Sequence, residues 1–297
     1  MASVVAETGK DASDLPLLET SAIPVCPKEG LSVQLIHLAH PKGNAFSRRK
    51  KQCDLWEFTW GTSIMLSRLL AALPLSTLRI LEVGCGSALC SLTCAMTGGE
   101  STRVVATDVV EDAVRIARLS AIANGIVTEG GTPADPRMRF ERRNWEALDR
   151  DFESEEVDKY DLVIGSDVLF YRGAAPYVAK ALARVLREGG IGIVGDPVRL
   201  AVDDFVECCE ELNLEAQVRQ FADGKATIDD VASFTSGKEA FVKLHKAKLV
   251  ILRRRVVSTE AVDMRCQRCS ALYTAVLAQT EPYVAEEEGM FHGSHRN

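Results

Sequence analysis

A glycine pair followed at a fixed distance by an acidic residue has the spacing of a nucleoside-cofactor site. The apolar run 78–83 ends at Gly84-Cys85-Gly86, and glycines one residue apart let a backbone turn sharply and approach a ligand closely. A second apolar run is followed by Asp108, 22 residues after Gly86, close to the roughly 20-residue offset of an acid that binds ribose hydroxyls. The pattern predicts a bound nucleoside cofactor, and the alternative role of Asp108 is to cap the next helix.

The residues around the glycines favour S-adenosyl-L-methionine over a dinucleotide. Dinucleotide-binding loops read G-x-G-x-x-G because the pyrophosphate rests on a helix N-terminus, whereas Leu89 stands at the last glycine position here. Glu82 lies just before the loop, where it would repel a pyrophosphate but suits an ammonium group. S-adenosyl-L-methionine carries an ammonium and a sulfonium and no phosphate, so it is the predicted cofactor.

Strands and helices alternate around this loop, which predicts a doubly wound α/β fold. Short apolar runs bounded by turn residues predict strands at 31–38, 79–83, 103–107, 138–142, 160–165, 191–195, 214–221 and 247–253. Apolar residues at helical spacing predict helices at 54–73, 88–97, 110–123, 176–187 and 202–212. The expected architecture is a Rossmann-like, mainly parallel seven-stranded sheet with a terminal antiparallel hairpin and an N-terminal β extension.

Composition shifts divide the chain into three parts. Residues 1–30 are polar and acidic and contain three prolines, so we expect a disordered N-terminal arm. Residues 31–255 hold all the predicted strands and form the α/β domain. Residues 256–297 are predicted to be a polar C-terminal tail that cofactor binding does not require.

Net charge and cysteine usage exclude several classes of protein. The net charge of −7 and pI near 5.4 argue against a surface that coats nucleic acid. No signal peptide, mitochondrial presequence or bilayer-spanning segment is expected. Nine cysteines in a chain of this length indicate reduced thiols rather than a disulfide framework. We therefore expect a cytoplasmic protein, with the nucleus as a second location.

One C-x-x-C pair raises the question of a metal site. Cys266 and Cys269 are followed by His292 and His295, and a closed tetrahedral zinc site needs four such ligands. The spacing matches no recognised zinc motif, and the alternative is two thiols on a terminal helix. No metal is expected.

Several motifs resemble those of class I S-adenosylmethionine-dependent methyltransferases, and more narrowly the seven-β-strand protein lysine methyltransferases of the family-16 group. The resemblance covers about residues 31–255. LEVGCGSAL is similar to the family's L-E-x-G-x-G-x-G loop, with Ala88 at the third glycine. Trp60 and the helical residues 66–70 resemble the tryptophan and helix that precede this loop in the family.

Two further motifs carry the narrower resemblance. Asn144-Trp145 matches the tryptophan after the third strand that lies by the adenine in the family. Asp167-Val168-Leu169-Phe170 matches the family's D-x-x-Y signature with phenylalanine in place of tyrosine, and Tyr171 follows directly. The Asp-x-x-aromatic element is more specific than the glycine loop alone.

The resemblance implies a methyltransferase that acts on a lysine side chain of a protein substrate and releases S-adenosyl-L-homocysteine. It implies cofactor contacts at Trp60, Glu82, Gly84, Cys85, Gly86, Asp108, Trp145 and Ser166. It also implies that Asp167 orients the ε-amino group, and that Phe170 and Tyr171 form an aromatic wall for a cationic or methylated amine. Alternatively, the two tryptophans are core residues, Ser166 is a small residue at a strand end, and Asp167 caps the following helix.

Three other functions compete with lysine methylation. Nucleic-acid amino methyltransferases carry an N/D-P-P-Y/F turn after the fourth strand, but residues 166–170 contain no proline. A small-molecule methyltransferase would share the same fold. A cofactor-binding protein without activity is the third alternative. The expected partner is a protein with an accessible lysine. Binding to nucleic acid or to a membrane is not expected, and the oligomeric state stays open.

Overall fold

The computed structural model describes most of the chain. It covers residues 18–38, 56, 59–128, 137–145, 158–171, 173–197, 201–221, 247–256 and 264–283. Within these residues, ten strands form a two-stranded hairpin and an eight-stranded sheet. The hairpin consists of β1 (Leu18–Cys26) and β2 (Leu31–Leu38). The sheet consists of β3 (Arg79–Val83), β4 (Arg103–Asp108), β5 (Met138–Arg142), β6 (Tyr160–Ser166), β7 (Leu186–Pro197), β8 (Leu214–Phe221), β9 (Ala247–Arg254) and β10 (Thr280–Pro282).

Six α-helices pack on this sheet in the described part of the chain. They are α1 (Gly61–Ala71), α2 (Leu89–Thr97), α3 (Glu111–Ala123), α4 (Ala174–Val185), α5 (Ala201–Glu211) and α6 (Met264–Ala278). None of these helices is long and apolar enough to cross a bilayer.

The strand order places a topological switch at β3. The order is β10-β8-β9-β7-β6-β3-β4-β5, with parallel pairing from β7 to β5 and antiparallel pairing from β7 to β10. From β3 the chain proceeds to β4 and β5 on one side and to β6 and β7 on the other. In such a sheet ligands bind beyond the carboxyl ends of the strands at this point. The doubly wound fold is confirmed, but the sheet has eight strands rather than seven because β10 extends its antiparallel edge.

Alternation along the strands divides the core between two faces. Ile80, Ala106, Ile164 and Ile193 pack in one cluster with α1, α2, α3 and α6. Their neighbours Leu81, Val105, Val163 and Val194 pack in a second cluster with α4 and α5. Because side chains alternate with a period of two, Glu82, Asp108, Ser166 and Gly195 lie on the first face, at or near the carboxyl ends of their strands.

Predicted element bounds agree closely with the structure, with two differences. Helix α1 begins at Gly61 rather than at residue 54, since Trp60 is extended (φ −81°, ψ 147°). Strand β7 begins at Leu186 rather than at 191, because Tyr160 pairs with Leu186 before the register shifts.

The N-terminal residues from 18 to 30 are ordered, so the predicted disordered arm is wrong for this part. Strand β1 buries Ile23 and Val25, and Arg68 of α1 donates a hydrogen bond to the Pro24 carbonyl (3.3 Å). These two apolar side chains pack in the first-face cluster, while most of the polar residues of β1 stay at the surface. Residues 1–17 lie outside the described part.

The C-terminal region is part of the domain, so a separate tail is wrong for residues 264–283. Helix α6 buries Leu272 and Val276 in the first-face cluster, and β10 pairs with β8. Cys266 and Cys269 both lie on α6, as the helix interpretation predicts. His292 and His295 lie outside the described residues.

Removing the apolar contacts of α6 should destabilise the domain. The Leu272 side chain is fully buried, so Leu272→Ala should lower the free energy of unfolding by about 2–5 kcal/mol. Urea denaturation measures the change, with Ser270→Ala at an exposed position of the same helix as the control. An unchanged midpoint for Leu272→Ala would show that α6 is dispensable.

Candidate functional site

The glycine loop after β3 is folded back on the end of β4. The Cys85 amide donates to the Thr107 carbonyl (2.9 Å), and the Ala88 amide donates to the Cys85 carbonyl (2.7 Å). Gly84, Gly86 and Ala88 have φ angles of 62°, 48° and 58°. Only glycine adopts these angles without steric cost, so Ala88 holds a strained backbone worth about 1–2 kcal/mol. The loop geometry explains why the family pattern has glycine at this third position.

Glu82 is buried behind this loop and caps helix α2. Its side chain is 2% exposed, and Oε2 accepts a hydrogen bond from the Ser91 amide (2.9 Å) in the first turn of α2. The N-cap residue Ala88 makes no side-chain cap hydrogen bond, so the strand supplies the cap. Burial raises the pKa of Glu82 to about 7, although hydrogen bonds from Ser91 and Cys90 oppose the rise.

Asp108 ties the glycine loop to the start of α3. One carboxylate oxygen accepts the Gly86 amide (2.9 Å) and the other accepts the Val110 amide (3.0 Å). Burial raises the pKa of Asp108, and these backbone hydrogen bonds oppose the rise. Each oxygen can accept a further hydrogen bond. The loop-holding role is therefore compatible with the predicted contact to ribose hydroxyls.

Trp145 follows β5 in the chain, and its side chain contacts the carboxyl end of β4 beside the glycine loop. Its indole Nε1–H donates to Thr107 Oγ1 (3.0 Å), and the Thr107 hydroxyl donates to the Glu82 carbonyl (2.6 Å). The Arg143 guanidinium lies 5.9 Å from the centroid of the Trp145 ring. These contacts fix the indole at the carboxyl ends of β3 and β4.

Two tryptophans precede α1 at the same edge of the sheet. Trp60 is the N-cap residue of α1, and its carbonyl accepts the Ser63 amide (3.0 Å) and hydroxyl (2.7 Å). The backbone of Trp56 passes over the glycine loop, since a Cβ on Gly86 would lie 3.7 Å from the Trp56 carbonyl oxygen. The sequence patterns single out Trp60 but give no signal for Trp56, because this proximity depends on how the segment packs.

The loop after β6 folds over the glycine loop. Asp167 has φ of 58°, and its amide donates to the Gly195 carbonyl (2.9 Å). A Cβ built on Gly84 or Gly165 would lie 3.0 or 2.9 Å from the Val168 side chain. Val168 therefore occupies the space that these two glycines leave open. This contact was not predicted, and it fixes the loop that carries Asp167.

An exposed aromatic pair lies just beyond the carboxyl end of β6. Phe170 and Tyr171 are 54% and 39% exposed, and their ring centroids are 5.0 Å apart at an interplanar angle of 56°. Ser166, at the end of β6, has a buried hydroxyl without a hydrogen-bond partner among the described residues. The predicted residues Ser166, Asp167, Phe170 and Tyr171 thus lie at or just beyond the carboxyl end of β6.

The cysteines near the loop are not poised for chemistry. Burial raises the pKa of the Cys85, Cys90 and Cys94 thiols well above its usual range, and Glu82 adds to the rise. A thiol of this kind is a poor nucleophile because the thiolate is the reactive form. In the part of the chain that the structure describes, no group of three or more His, Cys, Asp or Glu residues has the geometry of a metal site.

Comparison with known protein families decides the class of this site. The family described as Methyltransferase domain matches residues 75–247, more than half of the chain and nearly all of the crevice. The chain belongs to this methyltransferase-domain family. It is a methyltransferase, and the prediction of S-adenosyl-L-methionine as its cofactor agrees with this family. No curated protein sequence matches the chain.

Several solved structures are similar to the chain at low sequence identity. The methyltransferase is similar to the 16S rRNA N2 G1207 methyltransferase RsmC of Thermus thermophilus, with a TM-score of 0.50 and 17% identity over 83% of this chain and 53% of that one. TrmN from Thermus thermophilus has a TM-score of 0.45 and 17% identity over 65% and 50% of the two chains. The arsenic(III) methyltransferase CrArsM of Chlamydomonas reinhardtii has a TM-score of 0.43 and 19% identity over 75% and 76%. The methyltransferase thus spans about half the length of the two Thermus proteins.

The contact between Gly84 in the glycine loop and Val168 in the loop after β6 should not tolerate an added methyl group. Gly84→Ala adds a Cβ at 3.0 Å from Val168 and forces alanine to a φ of 62°, so the free energy of unfolding should fall by about 2–3 kcal/mol. Gly125→Ala is the matched control, because its φ of 66° is similar but its Cβ meets nothing within 4 Å. Chemical denaturation should show a larger loss for Gly84→Ala, and Val168→Ala should recover part of it. Equal losses at both glycines would show that the Val168 contact is unimportant.

The buried Glu82 carboxyl should make stability depend on pH. Because its pKa is about 7 in the folded protein and near 4.5 when unfolded, the native state keeps a proton that the unfolded state releases between these values. Its contribution to stability is therefore present below pH 4.5 and is lost as the pH rises to 7, by about 3 kcal/mol.

The variant Glu82→Gln isolates this effect, since glutamine stays neutral and keeps an acceptor for Ser91. Urea denaturation at pH 5 and pH 8 should show the variant gaining stability relative to the parent at the higher pH. A difference between the two proteins that does not change with pH would contradict the assigned pKa.

Proposed function

We propose that this methyltransferase transfers the methyl group to a lysine side chain of a protein substrate. The observation that carries the proposal is the loop after β6, where Asp167 is followed by the exposed pair Phe170 and Tyr171. The resemblance of these residues to the D-x-x-Y signature of the family-16 lysine methyltransferases supports the same acceptor.

The chemistry of the loop suits an amine that enters from outside. A carboxylate attracts an ammonium group, and aromatic faces stabilise a cation or a methylated amine. An exposed aromatic pair can receive a long side chain that projects from a large molecule, whereas small ligands are usually enclosed on most of their surface. A lysine side chain has the required length and charge.

S-adenosyl-L-methionine supplies an electrophilic methyl group on its sulfonium. The chain's residues would hold the acceptor nitrogen in line with that methyl group, which would pass to nitrogen as its bond to sulfur breaks. Alignment of this kind can supply a large part of the rate. The lysine must first lose a proton to solvent, and burial beside a positive charge favours this loss by lowering the lysine pKa. Asp167 then accepts one N–H of the neutral amine, so that the nitrogen lone pair faces the methyl group.

The cofactor-binding roles follow the same strand ends. Asp108 binds the ribose hydroxyls, Trp145 contacts the adenine, and the backbone of Gly84 to Gly86 approaches the methionine part. Glu82 acts on the methionine ammonium from behind the loop. The open lone pairs on Asp108 and the fixed indole support these assignments.

A labelled-methyl assay tests the class of acceptor. Purified enzyme and tritiated S-adenosyl-L-methionine are added to a lysate that lacks the enzyme, and the products are divided by protease, by nuclease and by size. Label that protease alone releases, and that mass spectrometry places on lysine, supports the proposal. Label in nucleic acid or in the small-molecule fraction would replace it with another acceptor class.

Asp167→Asn tests the role of the carboxylate. Asparagine tolerates a left-handed backbone, so the φ of 58° at this position should not disturb folding. Cofactor affinity in titration calorimetry should stay within a few-fold, while single-turnover transfer falls by about a hundred- to a thousand-fold because one well-placed charge is lost. Transfer at the parent rate with normal cofactor binding would leave Asp167 as a structural residue only.

A further inference from the structure

The hydroxyl of Thr107 joins the Trp145 side chain to the backbone of β3. The indole Nε1–H of Trp145 donates to Thr107 Oγ1 (3.0 Å), and the hydroxyl donates to the Glu82 carbonyl (2.6 Å). An indole N–H is only a donor and a carbonyl is only an acceptor, so the hydroxyl proton has one direction. Thr107 is fully buried, and hydrogen bonds in a buried chain of this kind are stronger than in water.

The backbone of the same residue holds the glycine loop. The Thr107 carbonyl accepts the Cys85 amide (2.9 Å), and the next residue, Asp108, accepts the Gly86 amide (2.9 Å). Side chains alternate along a strand, so Thr107 and Asp108 direct their side chains to opposite faces of the sheet. Thr107 therefore fixes the positions of Trp145 and the glycine loop relative to each other.

The Trp145 ring depends on this anchor because the protein does not enclose it. The indole packs against the second-face cluster but stays partly exposed, and it follows the edge strand β5. The χ2 torsion of tryptophan has broad minima, so covalent geometry alone leaves the ring plane variable. The Arg143 guanidinium, which pairs with Glu141 (2.8 Å), restrains one ring face. The Nε1–H hydrogen bond decides which edge of the indole is turned toward the sheet.

We infer that Thr107 is a positioning residue for the adenine of S-adenosyl-L-methionine and that it acts through Trp145. The inference rests on the proposed contact between Trp145 and the adenine. The hydroxyl holds one edge of the indole against β3 and β4, so the exposed part of the ring meets the ligand in one orientation. A ring that is ordered in advance lowers the ordering cost of binding.

Thr107→Val tests this role by removing only the hydrogen bonds. Valine keeps the branched shape that suits a strand, but it can neither accept from the indole nor donate to the carbonyl. The affinity for S-adenosyl-L-methionine in titration calorimetry should fall by about three- to tenfold, as expected for one neutral hydrogen bond. Thr107→Ser keeps the hydroxyl and should bind nearly as tightly as the parent.

Thr93→Val is the matched control. Thr93 is equally buried, and its hydroxyl donates to the Leu89 carbonyl within α2 (2.8 Å). This variant also loses one buried hydroxyl, but it should bind the cofactor with the affinity of the parent. Parent affinity in Thr107→Val, or an equal loss in both variants, would overturn the inference.

A double-mutant cycle shows whether the loss passes through the indole. Trp145→Phe keeps an aromatic ring without the N–H, so Thr107→Val should cost little further affinity in that background. Additive losses of binding free energy in the double variant would overturn the inference, because Thr107 would then act without Trp145.

The indole proton gives a readout that a loss of stability alone does not change. The chain has three tryptophans, and the Trp145→Phe spectrum identifies the Nε1–H resonance of Trp145. Without ligand, this proton should exchange slowly with solvent in the parent and in Thr107→Ser, and faster in Thr107→Val. An unchanged shift and exchange rate in Thr107→Val would overturn the inference. If Thr107→Val does not fold, Thr107→Cys gives the same comparison, since a thiol is a weak donor and acceptor.

Trp145→Leu separates this inference from the proposed role of Trp145. Its affinity should fall further than that of Thr107→Val, because it removes both the ring and the anchored N–H. A loss in Trp145→Leu together with additive losses in the cycle would overturn the role of Thr107 and keep the adenine contact. Parent affinity in Trp145→Leu would overturn the adenine contact and the inference with it.

Discussion

The buried carboxylate of Glu82 fixes where helix α2 begins relative to the central strand β3. It accepts the Ser91 amide in the first turn of α2, a helix whose N-cap residue contributes no side-chain cap. Burial of a carboxylate costs free energy, and the rise of its pKa to about 7 reflects this cost. Glu82 belongs to β3, the strand at which the sheet order reverses. A cationic ligand bound there would offset the free-energy cost of burying the carboxylate.

Hydrogen bonds near Glu82 join the carboxyl ends of β3 and β4 and the segment that follows β5. Thr107 on β4 accepts the Cys85 amide through its carbonyl and the Trp145 indole through its hydroxyl. The same hydroxyl donates to the Glu82 carbonyl, while Asp108 accepts the Gly86 amide. Two successive amides of the glycine loop, those of Cys85 and Gly86, are therefore held by β4. These hydrogen bonds fix the backbone angles of the loop, and a fixed loop lowers the ordering cost of binding.

The sequence was most informative where one strand buries both of its faces. Continuous apolar runs such as 79–83 and 160–165 mark parallel strands, and polar residues at their ends mark the crevice. Asp108 and Asp167 follow their strands directly, so the position of both was predictable from the chain order alone. The φ of 58° at Ala88 was not predictable from composition.

The sequence was least informative where packing between distant segments decides the structure. In β1 only Ile23 and Val25 are fully buried, within a segment that prolines and acidic residues make polar, so its pattern resembles that of disorder. Helix α6 buries a narrow stripe that includes Leu272 and Val276, four residues apart, and this spacing was the available signal. The contacts of Thr62 with Gly195 and of Val168 with Gly84 join residues far apart in the chain. No local pattern encodes them.

These contacts between distant segments also join the glycine loop to the loop that carries Asp167. In the proposed function, the glycine loop belongs to the cofactor side and the loop with Asp167 belongs to the acceptor side. Val168 lies against Gly84 and Gly165, and the Asp167 amide is held by the Gly195 carbonyl. Because Gly195 also packs against Thr62 at the start of α1, a shift of the acceptor loop would disturb the cofactor loop and α1 together. Close packing permits few intermediate arrangements. A ligand that orders the glycine loop and α1 would therefore also set the position of the Asp167 carboxylate, to which the proposed function assigns the amine.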